Sequence, residues 1–114
     1  MTKTISLILL VKNGAKRLND VFGALDKQTV KVDEMVSVDS GSRDGSLELV
    51  KSCKVIKFKS LKIFQIKPEE FSHGGTRNFA VSKTSGDIIV FLSQDAVPQI
   101  TDWLKNLLEP FCDI

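Results

Sequence analysis

The 114-residue sequence predicts an α/β fold, a three-layer α/β/α sandwich built on a mainly parallel sheet. Three observations carry that expectation. Nearly continuous apolar runs at residues 4–11 (TISLILLV) and 88–92 (IIVFL) have the composition of strands buried on both faces. These runs alternate with segments whose apolar residues recur at steps of three and four, the signature of a helix with one inward face. Each run also ends in polar turn formers, and alternation of this kind gives strands joined by helical crossovers.

Taken in order, the first strand (4–11) is stopped by Lys12-Asn13-Gly14, and residues 15–28 bring Leu18, Val21, Phe22 and Leu25 onto one helical face. A second strand follows at Glu34–Asp39 (EMVSVD). The segment 40–46 (SGSRDGS) is dense in turn formers and helix caps, and it leads into a helix over 47–52. Residues 54–67 alternate basic and apolar side chains, which suits two strands with one wet face and a break near Ser60. Residues 71–85 read as a loop running into a helix, with Gly74-Gly75 at its entrance and Phe79, Ala80 and Val81 as apolar surface. Gly86-Asp87 ends it, the strand 88–92 follows, and residues 101–111 resume helical spacing through Trp103, Leu104, Leu107 and Leu108 with Thr101 as the cap. The chain is one domain with no repeat, linker or low-complexity segment.

With 42% hydrophobic and 26% charged residues, the composition is that of a soluble globular domain. The formal charge of +2, from 16 basic and 14 acidic residues, is too small for nucleic-acid binding by bulk electrostatics. The lysines at 51, 54, 57, 59, 62 and 67 read as a solvated surface, with an acidic partner or an anionic membrane surface as alternatives. The longest apolar run is far short of the ~20 residues a membrane-spanning helix needs and carries no signal-peptide cleavage pattern, so the expected location is cytoplasmic. Cys53, Cys112 and the single His73 make no zinc-type ligand set, and both cysteines read as reduced structural thiols. The absence of GxGxxG after the first strand argues against a dinucleotide-binding domain, and the absence of GxxxxGK[ST] removes a P-loop.

The ends of three strands carry the chemistry. In a parallel sheet, ligands bind outside the carboxyl ends of the strands, and here those ends hold Lys12-Asn13, Asp39-Ser40 and Ser93-Gln94-Asp95. A carboxylate such as Asp39 accepts hydrogen bonds from a ribose hydroxyl or a base N–H; it could equally cap the adjacent turn. Asp95, flanked by Ser93 and Gln94, offers oxygen ligands of the kind Mg²⁺ or Mn²⁺ takes together with water and substrate phosphates; the plain alternative is a turn cap before Pro98. In residues 71–78 (FSHGGTRN), two glycines permit close backbone approach and Arg77 can pair with phosphate or a base carbonyl. A helix starting near Thr76 would add free N–H groups that favour an anion. His73 reads as a hydrogen-bonded structural residue, and a packing role for Arg77 stays open.

Three blocks together resemble family 2 glycosyltransferases, inverting enzymes of the GT-A fold that use nucleoside-diphosphate sugars. They are Val11-Lys12-Asn13-Gly14 at the end of the first strand, VSVDSGSRDGS at 36–46, and the pair FSHGGTRN at 71–78 with FLSQDAVP at 91–98. The last pair is similar to the rhamnosyltransferase-like branch. The resemblance implies that Asp39 contacts the donor base, that the main chain around Val11 and Asn13 lines the same pocket, and that Arg77 helps hold the base or diphosphate. Ser93-Gln94-Asp95 falls where the family has a DxD motif, so Ser93 and Gln94 join the nucleotide-sugar site. Asp95 becomes the ligand of a divalent Mg or Mn ion that bridges to the diphosphate. Ser93 in place of the first acid is a departure that leaves metal dependence open.

By the same resemblance the donor is a dTDP-, UDP- or GDP-linked sugar, rhamnose first among them. The acceptor is a glycan or lipid-linked hydroxyl, and the setting is surface polysaccharide synthesis at the cytoplasmic face of a membrane. Catalysis needs a general base, which the family places in the second half of the domain. Residues 1–114 are therefore expected to be the N-terminal donor-binding portion, truncated before the acceptor half, with no catalytic base before Ile114 and no turnover alone. Uncovered apolar surface and a free sheet edge would favour self-association. Two readings compete: a non-catalytic nucleotide-binding or regulatory module, and a receiver-like signalling domain in which Asp39 or Asp95 accepts phosphate and residues 74–78 have no purpose.

Overall fold

The computed structural model describes residues 3–53 and 59–111, the side chain of Phe111 excepted. Four strands, β1 (Ile5–Val11), β2 (Glu34–Asp39), β3 (Ser60–Gln65) and β4 (Ile88–Ser93), form one sheet in the order β3-β2-β1-β4. All three pairings are parallel. The apolar continuity of β1 has a direct cause: it is a central strand covered on both faces, so every position needs an apolar or hydrogen-bonded side chain.

Alternate residues of β1 sort into two cores. On one face Ile5, Leu7, Leu9 and Val11 meet α1 (Ala15–Asp26) through Leu18, Val21, Phe22 and Leu25. Val50 of α2 (Ser46–Lys51) and Leu104 and Leu108 of α4 (Trp103–Leu108) join the same cluster. Each such side chain contributes about 1.5–3 kcal/mol when fully removed from water. On the other face Ile8 meets Val36, Val38 and Ala80, the last from α3 (His73–Ser82), with Leu10, Phe64, Phe79 and Ile89 at its margin. Three helices on one face and one on the other make the expected α/β/α layers, unequally loaded.

Three local expectations need correction. α3 begins at His73, not near Thr76, so Gly74-Gly75 lie inside its first turn. The start is set by Ser72, whose Oγ accepts from the Gly75 N–H at 3.1 Å while its carbonyl accepts from the Thr76 N–H. Thr101 does not cap α4. Gln28, buried just past the end of α1, accepts the Leu104 N–H at 2.9 Å and donates to the Ile100 carbonyl at 2.8 Å, so a side chain distant in sequence replaces the local cap. α4 then stops at Leu108 and continues only as a 3₁₀ turn (Glu109–Phe111), because Pro110 has no N–H for an α-helical ladder. In the 54–67 region the described residues hold one strand, β3; the earlier of the two expected strands lies outside them. Cys53 is a free thiol, and Cys112 is outside the described residues.

At the amino ends of the strands, opposite the polar ends, Glu34 joins four elements. Its Oε1 accepts from Ser6 Oγ and the Ser85 N–H, its Oε2 accepts from Ser85 Oγ, all at 2.9 Å, and the Lys62 ammonium lies 3.1 Å from Oε2. Burial alone would raise the pKa of this carboxyl. The Ser85 N–H, the Ser6 and Ser85 hydroxyls and Lys62 together outweigh it and hold the pKa at about 2.

Candidate functional site

Strand register brings the site together. β1 pairs Val11 with Asp39 on one side and Leu10 with Ser93 on the other, so the ends of β2 and β4 flank the end of β1. The chain passes from β1 to β2 on one side and later places β4 on the opposite side. A crevice opens at such a reversal of strand order. It is a cleft of about 280 Å³. Leu10, Val11 and Lys12 line it at the end of β1, Ser40 just after β2, Ser93, Gln94 and Asp95 at the end of β4 and beyond, and Pro68 and Phe71 from the segment before α3.

Val11, Ser93, Gln94 and Asp95, four of the residues read from the sequence, therefore meet at one cleft. Asp39 stands beside them, 4% exposed. Its Oδ1 accepts from the Gly41 and Ser42 N–H groups at 2.9 and 2.8 Å, which is the turn-capping role. Its Oδ2 is buried and has no hydrogen-bond partner among the described residues. A buried carboxylate oxygen without a donor is costly, and a ligand N–H or O–H would satisfy it. Asp39 thus has one oxygen for the fold and one to spare.

Asp95 is exposed, and among the described residues no group donates to its carboxylate; its own N–H approaches Ser93 Oγ at 3.4 Å. The described residues contain no cluster of three His, Cys, Asp or Glu side chains able to hold a metal. One carboxylate with a neighbouring hydroxyl still fits a hard cation that completes its shell with water and phosphate oxygens.

Asn13 and Arg77 do not line the cleft. Asn13 adopts a left-handed backbone (φ 49°) and stitches two loops: its N–H donates to Ser42 Oγ at 2.9 Å and its Oδ1 accepts from the Arg43 N–H at 2.8 Å. The next two N–H groups, of Gly14 and Ala15, go to Ser46 Oγ and Asp44 Oδ2. Block 40–46 therefore caps the start of α1, a helix with no side-chain cap of its own. The Ser46 hydroxyl, and with it the Ala15 and Ser46 N–H groups, lowers the Asp44 pKa against a smaller opposing effect of burial. Arg77 lies on the α3 side with its guanidinium 5.6 Å from the centre of the Phe91 ring, and His73 packs edge-on against Phe71 of the cleft wall. Lys12, named from the sequence as a polar strand end with no binding role, reaches the site as well. Its ammonium donates to the Ser40 and Gly41 carbonyls at 3.1 and 3.2 Å, at the rim of the cleft.

A family model described as glycosyl transferase family 2 matches residues 6–114. The chain belongs to glycosyl transferase family 2. Among curated relatives, the O-antigen chain rhamnosyltransferase RfbN of Salmonella typhimurium is 39% identical over 110 residues, covering 96% of this chain and 33% of that protein. The O-antigen chain rhamnosyltransferase WbaN of Salmonella anatum is 36% identical over 101 residues, covering 88% and 30%. The chain spans about a third of the length of these curated relatives.

Solved structures share the fold. S. aureus TarS 1-349 in complex with UDP-GlcNAc superposes with a TM-score of 0.76 at 26% identity, over 93% of this chain and 30% of that one. Glucosyl-3-phosphoglycerate synthase from Mycobacterium tuberculosis, in complex with Mn²⁺, UDP and glucosyl-3-phosphoglycerate, gives 0.73 at 23% identity, over 96% and 39%, and supports the fold alone. The family 2 chain thus has the GT-A type of fold that the resemblance implied. No helix among its described residues is long and apolar enough to cross a membrane.

Proposed function

We propose that residues 1–114 are the donor-binding portion of an inverting glycosyltransferase that moves a sugar, rhamnose in the first instance, from a nucleoside diphosphate to an acceptor hydroxyl. The observation that carries the reading is the unpartnered Asp39 Oδ2, buried beside a cleft at the junction of three strand ends. A pyrimidine or purine N–H would supply its missing donor. Identity to O-antigen chain rhamnosyltransferases supports rhamnose as the sugar and surface polysaccharide as the product; the cytoplasmic face of a membrane is the setting this reading assigns. The acceptor-binding half and the general base are assigned outside these residues.

In this reading Asp39 receives the base, and the main chain at Val11 and Asn13 borders it. The diphosphate lies toward Ser93, Gln94 and Asp95, with Arg77 approaching from α3. Asp95 and the Ser93 hydroxyl would hold a divalent Mg or Mn ion, which when bound supplies positive charge to the departing diphosphate. Lys12 adds a fixed ammonium at the rim, and charge placed before reaction needs no reorganisation during it. Transfer is a single displacement in which the acceptor oxygen attacks the anomeric carbon as the diphosphate leaves.

Calorimetric titration with dTDP, UDP and GDP, with and without Mn²⁺, tests the reading. Asp39→Asn is the informative variant: it keeps the acceptor for the Gly41 and Ser42 N–H groups and turns the orphan oxygen into a donor. Nucleotide affinity is expected to fall by about 1–3 kcal/mol, roughly five- to 150-fold. Unchanged affinity in this variant, or no binding by the unsubstituted chain, sinks the proposal.

A further inference from the structure

Gln94 sits between Ser93 and Asp95, yet its amide turns inward to β1. Its Oε1 accepts the Lys12 N–H and its Nε2 donates to the Lys12 carbonyl, both at 2.8 Å. This is the two-point pairing that another stretch of backbone would make. The β1–β4 pairing ends at Leu10 and Ser93, so the amide continues it past the last backbone partners. Gly14 provides the room: a Cβ there would lie 2.4 Å from Gln94 Oε1 and 2.7 Å from its Cδ, closer than any real contact. Lys12 then reaches the other way. Its ammonium donates to the Ser40 and Gly41 carbonyls, and the Gly41 N–H is held by Asp39 Oδ1. A continuous run of bonded groups thus joins Gln94 through Lys12 and Gly41 to Asp39.

We infer that Gln94 is a positioning residue that fixes the separation of the two ends of the cleft, Asp39 and Asp95, by clamping the Lys12 main chain. Both ends of its amide are engaged by the Lys12 main chain. The inference rests on the donor-site reading. A ligand that spans both ends benefits from their being held in place beforehand, since otherwise binding must itself order them. A ligand that reaches only the Asp39 end gains nothing from the clamp. The two kinds of ligand therefore separate a positioning role from a structural one.

The test compares the unsubstituted chain with Gln94→Ala and Gly14→Ala, using whichever of dTDP, UDP and GDP binds tightest, with Mn²⁺, and the matching nucleoside alone. Titration calorimetry reads the diphosphate, saturation-transfer NMR reads the nucleoside, and melting curves verify that each variant is folded. Both variants are expected to bind the diphosphate about five- to tenfold more weakly and the nucleoside as before. The double variant should be no weaker than Gln94→Ala, because the clash at residue 14 disappears with the amide. Should Gly14→Ala not fold, Gln94→Ala carries the test by itself. Full diphosphate affinity in Gln94→Ala overturns the inference, as does an equal loss for the nucleoside. An unsubstituted chain that binds neither ligand refutes the donor-site reading itself.

Discussion

Replacing Glu34 by Gln removes the charge from a carboxylate that is 4% exposed and joins Ser6, Ser85 and Lys62. The folded-state pKa of about 2 lies below the 4.5 of a free glutamate, so the folded state favours the ionised form. That preference stabilises the chain fully above about pH 5 and is lost as the pH falls toward 2. The fall from 4.5 to about 2 corresponds to about 3 kcal/mol. Urea unfolding of both proteins from pH 6 to pH 2 measures it. Asp44 and Asp87, whose pKa values are also lowered, titrate in both proteins and cancel in the difference. The stability advantage of the unsubstituted chain over Glu34→Gln should shrink by about 3 kcal/mol across that range. Parallel pH profiles would show that the network does not favour the ionised carboxyl, and the reasoning would fall.

Two substitutions of glycine should act in opposite directions. A Cβ at Gly86 would lie 2.4 Å from Ser6 Oγ and 2.9 Å from the Ser6 backbone nitrogen. Gly86→Ala should therefore cost about 1–3 kcal/mol, read as a lower urea midpoint at unchanged slope. Gly23 lies in the interior of α1, and a Cβ there would meet nothing within 4 Å. Gly23→Ala should raise stability by about 0.5–1 kcal/mol and shift the calorimetric melting point upward.

The sheet was legible because its central strand is buried on both faces and must be apolar throughout; residues 5–11 admit little else. The convergence of Val11, Asp39 and Ser93 followed from the same fact, since parallel strands in register end together. What the sequence concealed were side chains serving distant backbone. Ser42, Asp44 and Ser46 look like caps of the helix they precede, and Asp44 does accept the Ser46 N–H there, yet all three also bind N–H groups at the approach to α1, about thirty residues earlier. Gln28 and Gln94 likewise give their amides to main chain more than seventy residues away. Amides at such separations leave no periodicity to detect. The start of α3 was missed for a local reason: two glycines suggested a loop, whereas Ser72 had already capped the helix.

The unequal loading of the two faces has a consequence for how the cleft responds to a ligand. α3 is anchored by the smaller core, Ile8, Val36, Val38 and Ala80, while the opposite face holds three helices on a far larger one. Elements with fewer buried contacts open at lower free energy than the rest of a domain. The strand ends therefore form a stiff side of the cleft, backed by the larger core, and Phe71, which leads into α3, stands on the more compliant one. In the donor-site reading a nucleotide docks against the strand ends, and the wall at Phe71 is the one that yields at the smaller free-energy cost.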